Sequence, residues 1–352
     1  MGSHLTIDQG SLLQNLRTIK AIAQRSGVSI SVVTKGLVGH EGLVKLLVEN
    51  GADSICEAHI QNLKKFKDLP AEKWLIRSPL PSEVDDVVRY ADVSLVTEMS
   101  VLELLSAAAA EQGRKHKAVI MLELGELREG CMPDELVPLC EACLALPSLE
   151  LHGIGANLSC INEIIPNENN MAVLAEAASE VENVFSVRLP LVSGGSSSAV
   201  KMLEEGGLPP AINHLRIGEA ILLGNIVCYD MPYEGAREDI FTLEAEVIEA
   251  KSKPSLPWGE RAPGTAPAGQ PSVPGALQKR ALVAIGKQDV FAQYLAPIDT
   301  GIRILGDTSD CLVADVTDAK NEYKPGDTVS FRLKYNGLVS AMASSYVEKI
   351  LL

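Results

Sequence analysis

The sequence lacks a long apolar run and has a deficit of positive charge. Its apolar stretches, such as residues 220–223, are far shorter than the roughly 20 residues that cross a bilayer. The 352 residues include 31 Lys+Arg against 46 Asp+Glu, a formal net charge of -15. This balance argues against nucleic-acid and anionic-membrane partners. Because 46% of the residues are hydrophobic, the chain can bury one large core or two medium ones, and intrinsic disorder is excluded as its main state.

Disulfide, metal and secretion signals are also missing. The seven cysteines are odd in number and scattered through a long chain, which predicts reduced thiols. Cys140 and Cys143 form a Cys-x-x-Cys pair, but they lie in a run typical of a helix, and no second Cys or His pair accompanies them. We therefore predict no metal site. The N-terminus lacks the basic and apolar regions of a secretory signal, which predicts a cytoplasmic protein.

Short aliphatic or β-branched runs alternate with amphipathic segments through about two thirds of the chain. The strand candidates are residues 29–34, 51–56, 73–78, 93–98, 118–124, 150–155, 187–193 and 215–224. Helical spacing of apolar residues marks 11–25, 42–48, 101–112, 133–145 and 169–184. This alternation predicts an α/β fold, a (β/α)8 TIM-like barrel over residues 1–228. A doubly wound open sheet is the alternative.

The pattern changes after Gly224, where strand-like runs follow one another without helices. They cover residues 241–250, 279–285, 302–305, 311–316, 328–333 and 341–350. These runs predict a C-terminal mostly-β domain over residues 229–352. Within it, residues 253–278 are rich in Pro, Gly and Ala, which is typical of a disordered segment or a functional loop.

In a (β/α)8 barrel the active site forms at the C-terminal ends of the strands, so the polar residues that follow each apolar run are the candidates. They are Lys35, Glu57, Arg77, Ser78, Glu98, Glu123, Arg128, Asn157, residues 193–198 and Arg216. Lys35 follows a β-branched run and could form a Schiff base if burial lowers its pKa, although position alone favours an ordinary surface lysine. Arg216 lies in an apolar strand, where a guanidinium needs an acceptor because burying it unpaired is costly.

Two further candidates have ordinary interpretations beside the functional ones. The hydroxyl and backbone N–H groups of residues 193–198 suit a phosphate monoester, but Gly-Ser clusters are most often plain loops. His152 lies inside a predicted barrel strand, where a buried imidazole with satisfied hydrogen bonds is at least as expected as a functional one. From the residues alone these alternatives stay open.

Taken together, several segments resemble the alanine racemase superfamily of fold-type III pyridoxal-phosphate enzymes, in particular its ornithine racemase-like branch. They are Thr34-Lys35 and residues 123–130 (ELGELREG), 152–158 (HGIGANL), 193–198 (SGGSSS), 215–224 (LRIGEAILLG) and 285–289 (IGKQD). Each is weak by itself, but their order and spacing extend over nearly the whole chain. The resemblance implies an isomerase, an amino-acid racemase that interconverts L- and D-amino acids with pyridoxal 5'-phosphate bound in the barrel.

The resemblance also implies roles for single residues. Lys35 would hold the cofactor covalently and act as one of two bases at Cα, and Arg128 would lie near the cofactor hydroxyl and the substrate carboxylate. The implied cofactor contacts are His152 beside the ring, Ser196, Ser197, Gly218 and Tyr346 around the phosphate, and Arg216 at the pyridine nitrogen. A guanidinium at that nitrogen keeps the ring neutral, which favours quick reprotonation at Cα over transamination.

The sequence departs from the family pattern at the second base. Alanine racemases place a tyrosine there, in a Gly-Tyr-x-Asp-Gly loop of the partner subunit, and this loop is missing here. Asp289 is a candidate, although a turn residue fits it at least as well. The other candidates come from the 257–278 segment and are Glu260, Arg261, Thr265 and Ser272. Ser196 also stands where the phosphate loop is expected to have an Asn.

A homodimer is implied, because in these racemases the β domain completes the site of the other subunit. The expected small-molecule substrate is ornithine or another basic amino acid, with small or neutral amino acids as alternatives. A pyridoxal-phosphate-binding homeostasis protein is a further alternative, but such proteins lack the β domain. Decarboxylases and metal-assisted aldolases of this fold type fit less well, because no Cys-Gly-x-x-Asp motif is present and the last histidine is His214, in the barrel.

Overall fold

A computed structural model of the chain describes residues 2–260, 262 and 276–352. These residues divide into two compact units: Leu12–Glu238, called the barrel unit, and the residues before Leu12 together with Asp239–Leu352, called the β unit. The division expected at 228/229 thus lies at 238/239, and the first residues group with the C-terminal ones. The candidates Arg261, Thr265 and Ser272 lie outside the described residues.

A closed parallel barrel forms the centre of the barrel unit. Strand β1 (Ser3–Ile7) belongs to the β unit, and the barrel strands are β2 (Ser29–Val33), β3 (Ser54–Glu57), β4 (Glu72–Leu75), β5 (Val93–Val96), β6 (His116–Leu122), β7 (Leu149–Ala156), β8 (Leu191–Ser193) and β9 (His214–Ile217). Each strand pairs in parallel with the next, and β9 pairs with β2. The predicted TIM-like barrel is confirmed, and the open doubly wound sheet is wrong.

Helices connect the barrel strands, and the apolar spacing predicted the long ones. They are α1 (Gln9–Arg25), α2 (Glu41–Glu49), α3 (Ile60–Lys65), α4 (Val84–Tyr90), α5 (Met99–Glu111), α6 (Pro133–Ala145), α7 (Glu168–Phe185), α8 (Val200–Glu205) and α9 (Glu219–Leu223). In α1, Leu12, Leu16 and Ile19 recur every three or four residues and are fully buried. The sequence does not predict α3, α4 and α8, because six or seven residues show too little of the helical period.

The structure corrects the strand predicted at 215–224. β9 ends at Ile217, and α9 begins at Glu219. Gly218 separates them, and a Cβ at this position would lie 3.0 Å from the Cβ of Val33 on the neighbouring strand β2. An apolar run as short as 220–223 fits a strand and a helix equally well, so periodicity could not separate the two.

The β unit contains one sheet that includes β1. Its elements are β12 (Phe241–Pro254), β13 (Leu277–Val283), β14 (Leu295–Pro297), β15 (Arg303–Asp307), β16 (Leu312–Asp315), β17 (Thr328–Leu333), α10 (Tyr335–Ala343) and β18 (Val347–Leu351), while β10 (Asn225–Ile226) and β11 (Met231–Pro232) pair in the barrel unit. The strand order is β14-β17-β12-β13-β16-β15, and β1 pairs with β12 and β18. The mostly-β domain is confirmed. The strand predicted at 341–350 is instead the end of α10 followed by β18.

The inside of the barrel is packed with apolar side chains. The candidate polar residues therefore lie at the ends of the barrel or form hydrogen bonds inside it. Val33, Cys56, Trp74, Val119 and Met121 belong to one buried cluster there. The predicted helix at Pro133–Ala145 is confirmed as α6, and Cys140 and Cys143 are buried on it as free thiols. In the described part of the chain, no helix is both long and apolar enough to span a membrane.

Candidate active site

Lys35 follows β2 directly, at the C-terminal end of the barrel. Val32 and Val33 of that strand are buried, and the chain turns at Lys35 into a short 3-10 helix, Lys35–Leu37. The lysine is half-buried; burial lowers the pKa of its amine, and the charge of Arg128 lowers it further. Lowering the pKa of an amine raises the fraction of free base, the form that can act as a nucleophile or accept a proton.

The loop after β6 carries Arg128. The two ends of this loop are tied together, since the Glu123 N–H donates to the Cys131 carbonyl (2.9 Å). Gly130 is required between them: its φ is +154°, and a Cβ would lie 2.5 Å from the Glu123 nitrogen. Arg128 pairs with Glu129 through Nε and Nη2. The Arg-x-Gly pattern in the sequence therefore reflects a loop that only glycine can close.

Arg216 lies in β9 with 2% of its surface exposed. Its Nη2 donates to the Ala156 carbonyl (2.9 Å) and to Asn157 Oδ1, and its Nη1 donates to Ser193 Oγ. These are the acceptors that a buried guanidinium requires. A guanidinium has five N–H donors, so one on Nη1 and the one on Nε have no partner in the described ranges. Those two donors are available to a ligand.

The 193–198 loop follows β8 and contacts the start of α9. Ser197 Oγ accepts hydrogen bonds from the backbone N–H groups of Gly218 (3.2 Å) and Ala220 (3.1 Å). Ser196 Oγ and Ser198 Oγ lie 3.3 Å apart. Hydroxyl and backbone N–H groups are therefore concentrated at the ends of β8 and β9, a donor set that suits a phosphate monoester.

Asn157 has a place in the site that the sequence analysis did not assign. It follows β7; its Oδ1 accepts from Arg216, and its Nδ2 donates to Glu129 Oε1. One side-chain amide thus links the buried arginine to the pair formed by Arg128 and Glu129. The signal was available, because Asn157 is a polar residue directly after an apolar strand.

Glu126 is a residue that the sequence analysis did not name. The residue is 1% exposed, and its carboxylate accepts hydrogen bonds from backbone N–H groups of the loop after β7. The donors are Ser159, Cys160, Ile161, Asn162 and Ile164. Burial raises the pKa of this carboxyl, but the hydrogen bonds outweigh burial, so the pKa lies below its ordinary value. Sequence reasoning could not find this site, because its donors are backbone groups that carry no residue signature.

His152 does not lie with these residues, which corrects its interpretation as a cofactor contact. It sits at the bulge where β6 and β7 shift register, four residues before the end of β7 and thus about 13 Å along the strand from that end. Its ring packs edge-on against Trp74 with centroids 6.2 Å apart, and Nδ1 lies 3.6 Å from Glu150 Oε1. His152 therefore belongs to the amino-terminal half of the barrel, away from Lys35.

Asp289 and Tyr346, two further candidates, are neighbours in the β unit. Asp289 Oδ1 accepts from Ser344 Oγ (2.7 Å), and the backbone N–H of Tyr346 donates to the same hydroxyl (3.1 Å). Tyr346 is 74% exposed. Lys287, on the same turn as Asp289, is also exposed, and its Nζ lies 3.7 Å from Asp307 Oδ1. One turn thus presents a carboxylate held by a hydroxyl and a loosely paired amine.

Residues 7–225 match the family model described as alanine racemase, N-terminal domain. The chain belongs to the alanine racemase family. It is 39% identical over 352 residues to an ornithine racemase of Acetoanaerobium sticklandii, with 99% of both chains covered. It is 33% identical over 348 residues to a lysine racemase of Thermotoga maritima, covering 98% of this chain and 97% of that one. An alanine racemase of Bartonella henselae, solved with covalently bound pyridoxal phosphate, has the same fold, with a TM-score of 0.77 at 17% identity and all of both chains covered. The family predicted from the sequence is confirmed.

Proposed function

We propose that this member of the alanine racemase family is a pyridoxal-phosphate-dependent isomerase that interconverts the L- and D-forms of a basic amino acid, with ornithine as the preferred substrate. Full-length similarity to an ornithine racemase and to a lysine racemase supports the substrate class. The observation that carries the proposal is at the C-terminal end of the barrel. There a half-buried lysine with a lowered pKa follows β2, and a buried arginine with two available N–H donors lies in the neighbouring strand β9.

The chemistry of the donor set fits pyridoxal 5'-phosphate. Lys35 would hold the cofactor through its amine, and Ser196 and Ser197 would supply hydroxyl groups to the phosphate. Gly218 would supply its N–H group in exchange for its present hydrogen bond to Ser197 Oγ. Arg216 would direct its available N–H donors to the pyridine nitrogen. When bound, the cofactor supplies an electron sink that acidifies the Cα–H of an attached amino acid. Tyr346, the further phosphate contact that the resemblance implies, stays a prediction.

Lys35 would move the proton at the substrate Cα on one face, because burial lowers the pKa of its amine and so raises the fraction of free base. Arg216 would donate a hydrogen bond to the pyridine nitrogen, and because a guanidinium cannot accept a proton, that nitrogen would stay unprotonated. An unprotonated ring withdraws electrons less strongly, which favours return of the proton to Cα over its transfer to another carbon. These two residues together favour racemisation over transamination.

Arg128 is the proposed partner of the substrate carboxylate. Glu129 occupies the edge of its guanidinium formed by Nε and Nη2, which leaves the edge formed by the two terminal nitrogens for a second carboxylate. Asn157 holds Glu129 from the other side. The proposed carboxylate site is therefore fixed by the same amide that contacts Arg216.

Inversion at Cα requires a second acid or base on the face opposite Lys35, and Asp289 is the proposed group. Ser344 engages its Oδ1, which leaves Oδ2 to exchange a proton. We place this residue in the β unit of a partner chain, so the proposal includes a homodimer, and it includes the cytoplasmic location predicted from the sequence. A fully active monomer in gel filtration would contradict the placement of Asp289 in a partner chain.

A chiral assay tests reaction and substrate class together. The purified chain, supplied with pyridoxal 5'-phosphate, is incubated separately with L-ornithine, L-lysine, L-alanine and L-serine, and the D-forms are measured by chiral chromatography. We expect D-ornithine to form fastest. Racemisation of alanine alone would move the substrate class to small amino acids. Cofactor binding without racemisation of any amino acid would instead favour the cofactor-carrying homeostasis protein.

A further inference from the structure

A buried hydrogen-bond network runs from Arg216 through the inside of the barrel toward the amino-terminal ends of its strands. Arg216 Nη1 donates to Ser193 Oγ, which lies 2.9 Å from His214 Nδ1. His214 Nε2 lies 2.8 Å from Ser31 Oγ, and Ser31 Oγ lies 2.7 Å from Ser54 Oγ. Ser193 and Ser31 are fully buried, and His214 is 3% exposed. The proposed function uses Arg216 but none of the other members.

One hydrogen-bond direction follows from chemistry alone, because a guanidinium only donates and Ser193 Oγ therefore accepts from Arg216. We assign the hydroxyl hydrogen of Ser193 to His214 Nδ1. The imidazole then carries its hydrogen on Nε2 and donates it to Ser31. This arrangement requires a neutral imidazole, and burial, together with the positive charge of Arg216, lowers the pKa of His214 to about 3. Each hydroxyl in the network therefore has one donor role and one acceptor role.

The imidazole ring is also held by stacking. The Trp74 ring lies parallel to the His214 ring, with centroids 4.9 Å apart and 13° between the planes. Trp74 is itself fixed, because its Nε1 donates to Glu72 Oε2 (2.8 Å). His214 thus presents Nδ1 to Ser193 from a fixed position.

We infer that His214, acting through Ser193, is a positioning residue that orients the Arg216 guanidinium for the pyridine nitrogen. The inference rests on the proposed function. Ala156 and Asn157 hold only Nη2, and in residues 2–260, 262 and 276–352 no carboxylate forms an ion pair with Arg216. Without the hydroxyl of Ser193, the planar guanidinium would be held through Nη2 alone and could swing as a rigid group about that nitrogen. The donors on Nε and Nη1 would then no longer have a fixed direction.

The barrel contains a matched pair that lacks any link to Arg216. His116 Nε2 lies 2.8 Å from Ser94 Oγ, the two residues are 2% and 0% exposed, and burial, together with the charge of Arg114, lowers the pKa of His116 to about 4. Removing this pair costs the barrel a buried serine-histidine hydrogen bond of the same kind. Ser94→Ala and His116→Phe therefore control for lost stability.

The test compares these controls with Ser193→Ala and His214→Phe, of which the second keeps a ring that can stack on Trp74. For each holoenzyme the visible absorption spectrum and the dissociation constant of pyridoxal 5'-phosphate are measured, together with kcat and KM for L-ornithine and Tm. We expect Ser193→Ala and His214→Phe to shift the absorption maximum, and to weaken cofactor binding and lower kcat by about tenfold to a hundredfold. KM should change little. The controls should lower Tm by a similar amount and leave the spectrum and kcat unchanged.

A conservative variant separates orientation from packing. In His214→Asn the side-chain oxygen can take the place of Nδ1 as acceptor for Ser193, so the spectrum should return toward that of the wild type even where Tm stays low. Two results would overturn the inference. In the first, the spectrum and kcat change in proportion to Tm in the controls as well as in Ser193→Ala and His214→Phe. In the second, Ser193→Ala and His214→Phe leave both the spectrum and kcat unchanged. A wild-type chain that binds no pyridoxal 5'-phosphate, or racemises nothing, would instead contradict the proposed function. If His214→Phe does not fold, Ser193→Ala and His214→Asn decide the question.

Discussion

Replacing Glu126 by glutamine should destabilise the barrel unit strongly, although the two side chains have the same shape. Oε1 of Glu126 accepts from the N–H groups of Cys160 (2.7 Å), Ile161 and Asn162 (2.9 Å), and Oε2 accepts from those of Ser159 (2.9 Å) and Ile164 (3.2 Å). A carboxamide has one oxygen, so its NH2 group must face at least two of these donors. Each lost hydrogen bond to a charged group is worth about 1.5–3 kcal/mol. We therefore expect a loss of about 3–5 kcal/mol in the free energy of unfolding.

The buried Trp74 reports on the barrel unit. The chain has two tryptophans, and Trp258 is 83% exposed, so a Trp258→Phe background isolates the fluorescence of Trp74. Urea unfolding in this background then compares Glu126→Gln with Glu135→Gln, whose carboxylate accepts one backbone N–H, that of Met132 (2.8 Å). The control removes the same charge but should cost no more than about 1 kcal/mol. Equal losses in the two variants would refute the account of Glu126.

The pH dependence gives a second test of the same carboxylate. Its pKa in the folded state is below the ordinary value of 4.5, so the folded state favours the ionised form. The stability that Glu126 contributes is therefore fully present above pH 4.5 and is lost as the pH falls through the lowered pKa. The difference in unfolding free energy between the wild type and Glu126→Gln should shrink in that acid range. A difference that does not change with pH would show that the charge is not what holds the loop.

Three other outcomes are expected. Lys35→Ala should lose the visible absorption of bound cofactor and the racemase activity together, and a variant that kept both would show that another residue holds the cofactor. Asp289→Asn should slow α-deuterium exchange in one direction, L to D or D to L, more than in the other; the same selective loss in Lys287→Met, on the same turn, would move the second base to that lysine. His116 is held neutral with a pKa of about 4 against 6.5 when unfolded, so the unfolded state binds more protons between these values and stability falls as the pH drops through them. By linkage, the loss of unfolding free energy between the two pKa values amounts to about 3 kcal/mol. His116→Phe should make the unfolding free energy, measured with urea, depend less on pH in that range.

Local pattern was sufficient for the elements that are long and regularly spaced. Helix α6 shows why: Pro133 stands at its first position, and Leu136, Leu139, Cys140 and Cys143 recur on one buried face. The barrel strands were found in the same way, because each is a short aliphatic run between helices. The segments 215–224 and 341–350 were wrong because an apolar run by itself does not separate a strand from a short helix.

The location of a candidate residue could be predicted where its position relative to a barrel strand determines the end of the barrel at which it lies. Lys35 lies just after the end of β2, Arg128 lies in the loop that follows β6, and Arg216 is the third residue of the four in β9. His152 failed the same test, since it lies inside β7, and the bulge at its position cannot be read from the sequence. Glu126 and the Ser193–His214 contact could not be predicted either. Both depend on partners that only the folded barrel brings together.

The two loops that carry the polar residues of the site are fixed to each other at two points. The carboxylate of Glu126 holds the backbone of residues 159–164. Three residues farther along the same loop, Glu129 accepts from Asn157, which lies two residues before that segment. Because Asn157 also accepts from Arg216, a displacement of either loop would change the acceptors around the buried guanidinium. The strong charge-assisted bonds at Glu126 thus lie outside the proposed cofactor contacts but set their geometry. The position of Arg216 therefore depends on this loop junction at one side and on His214 and Ser193 at the other.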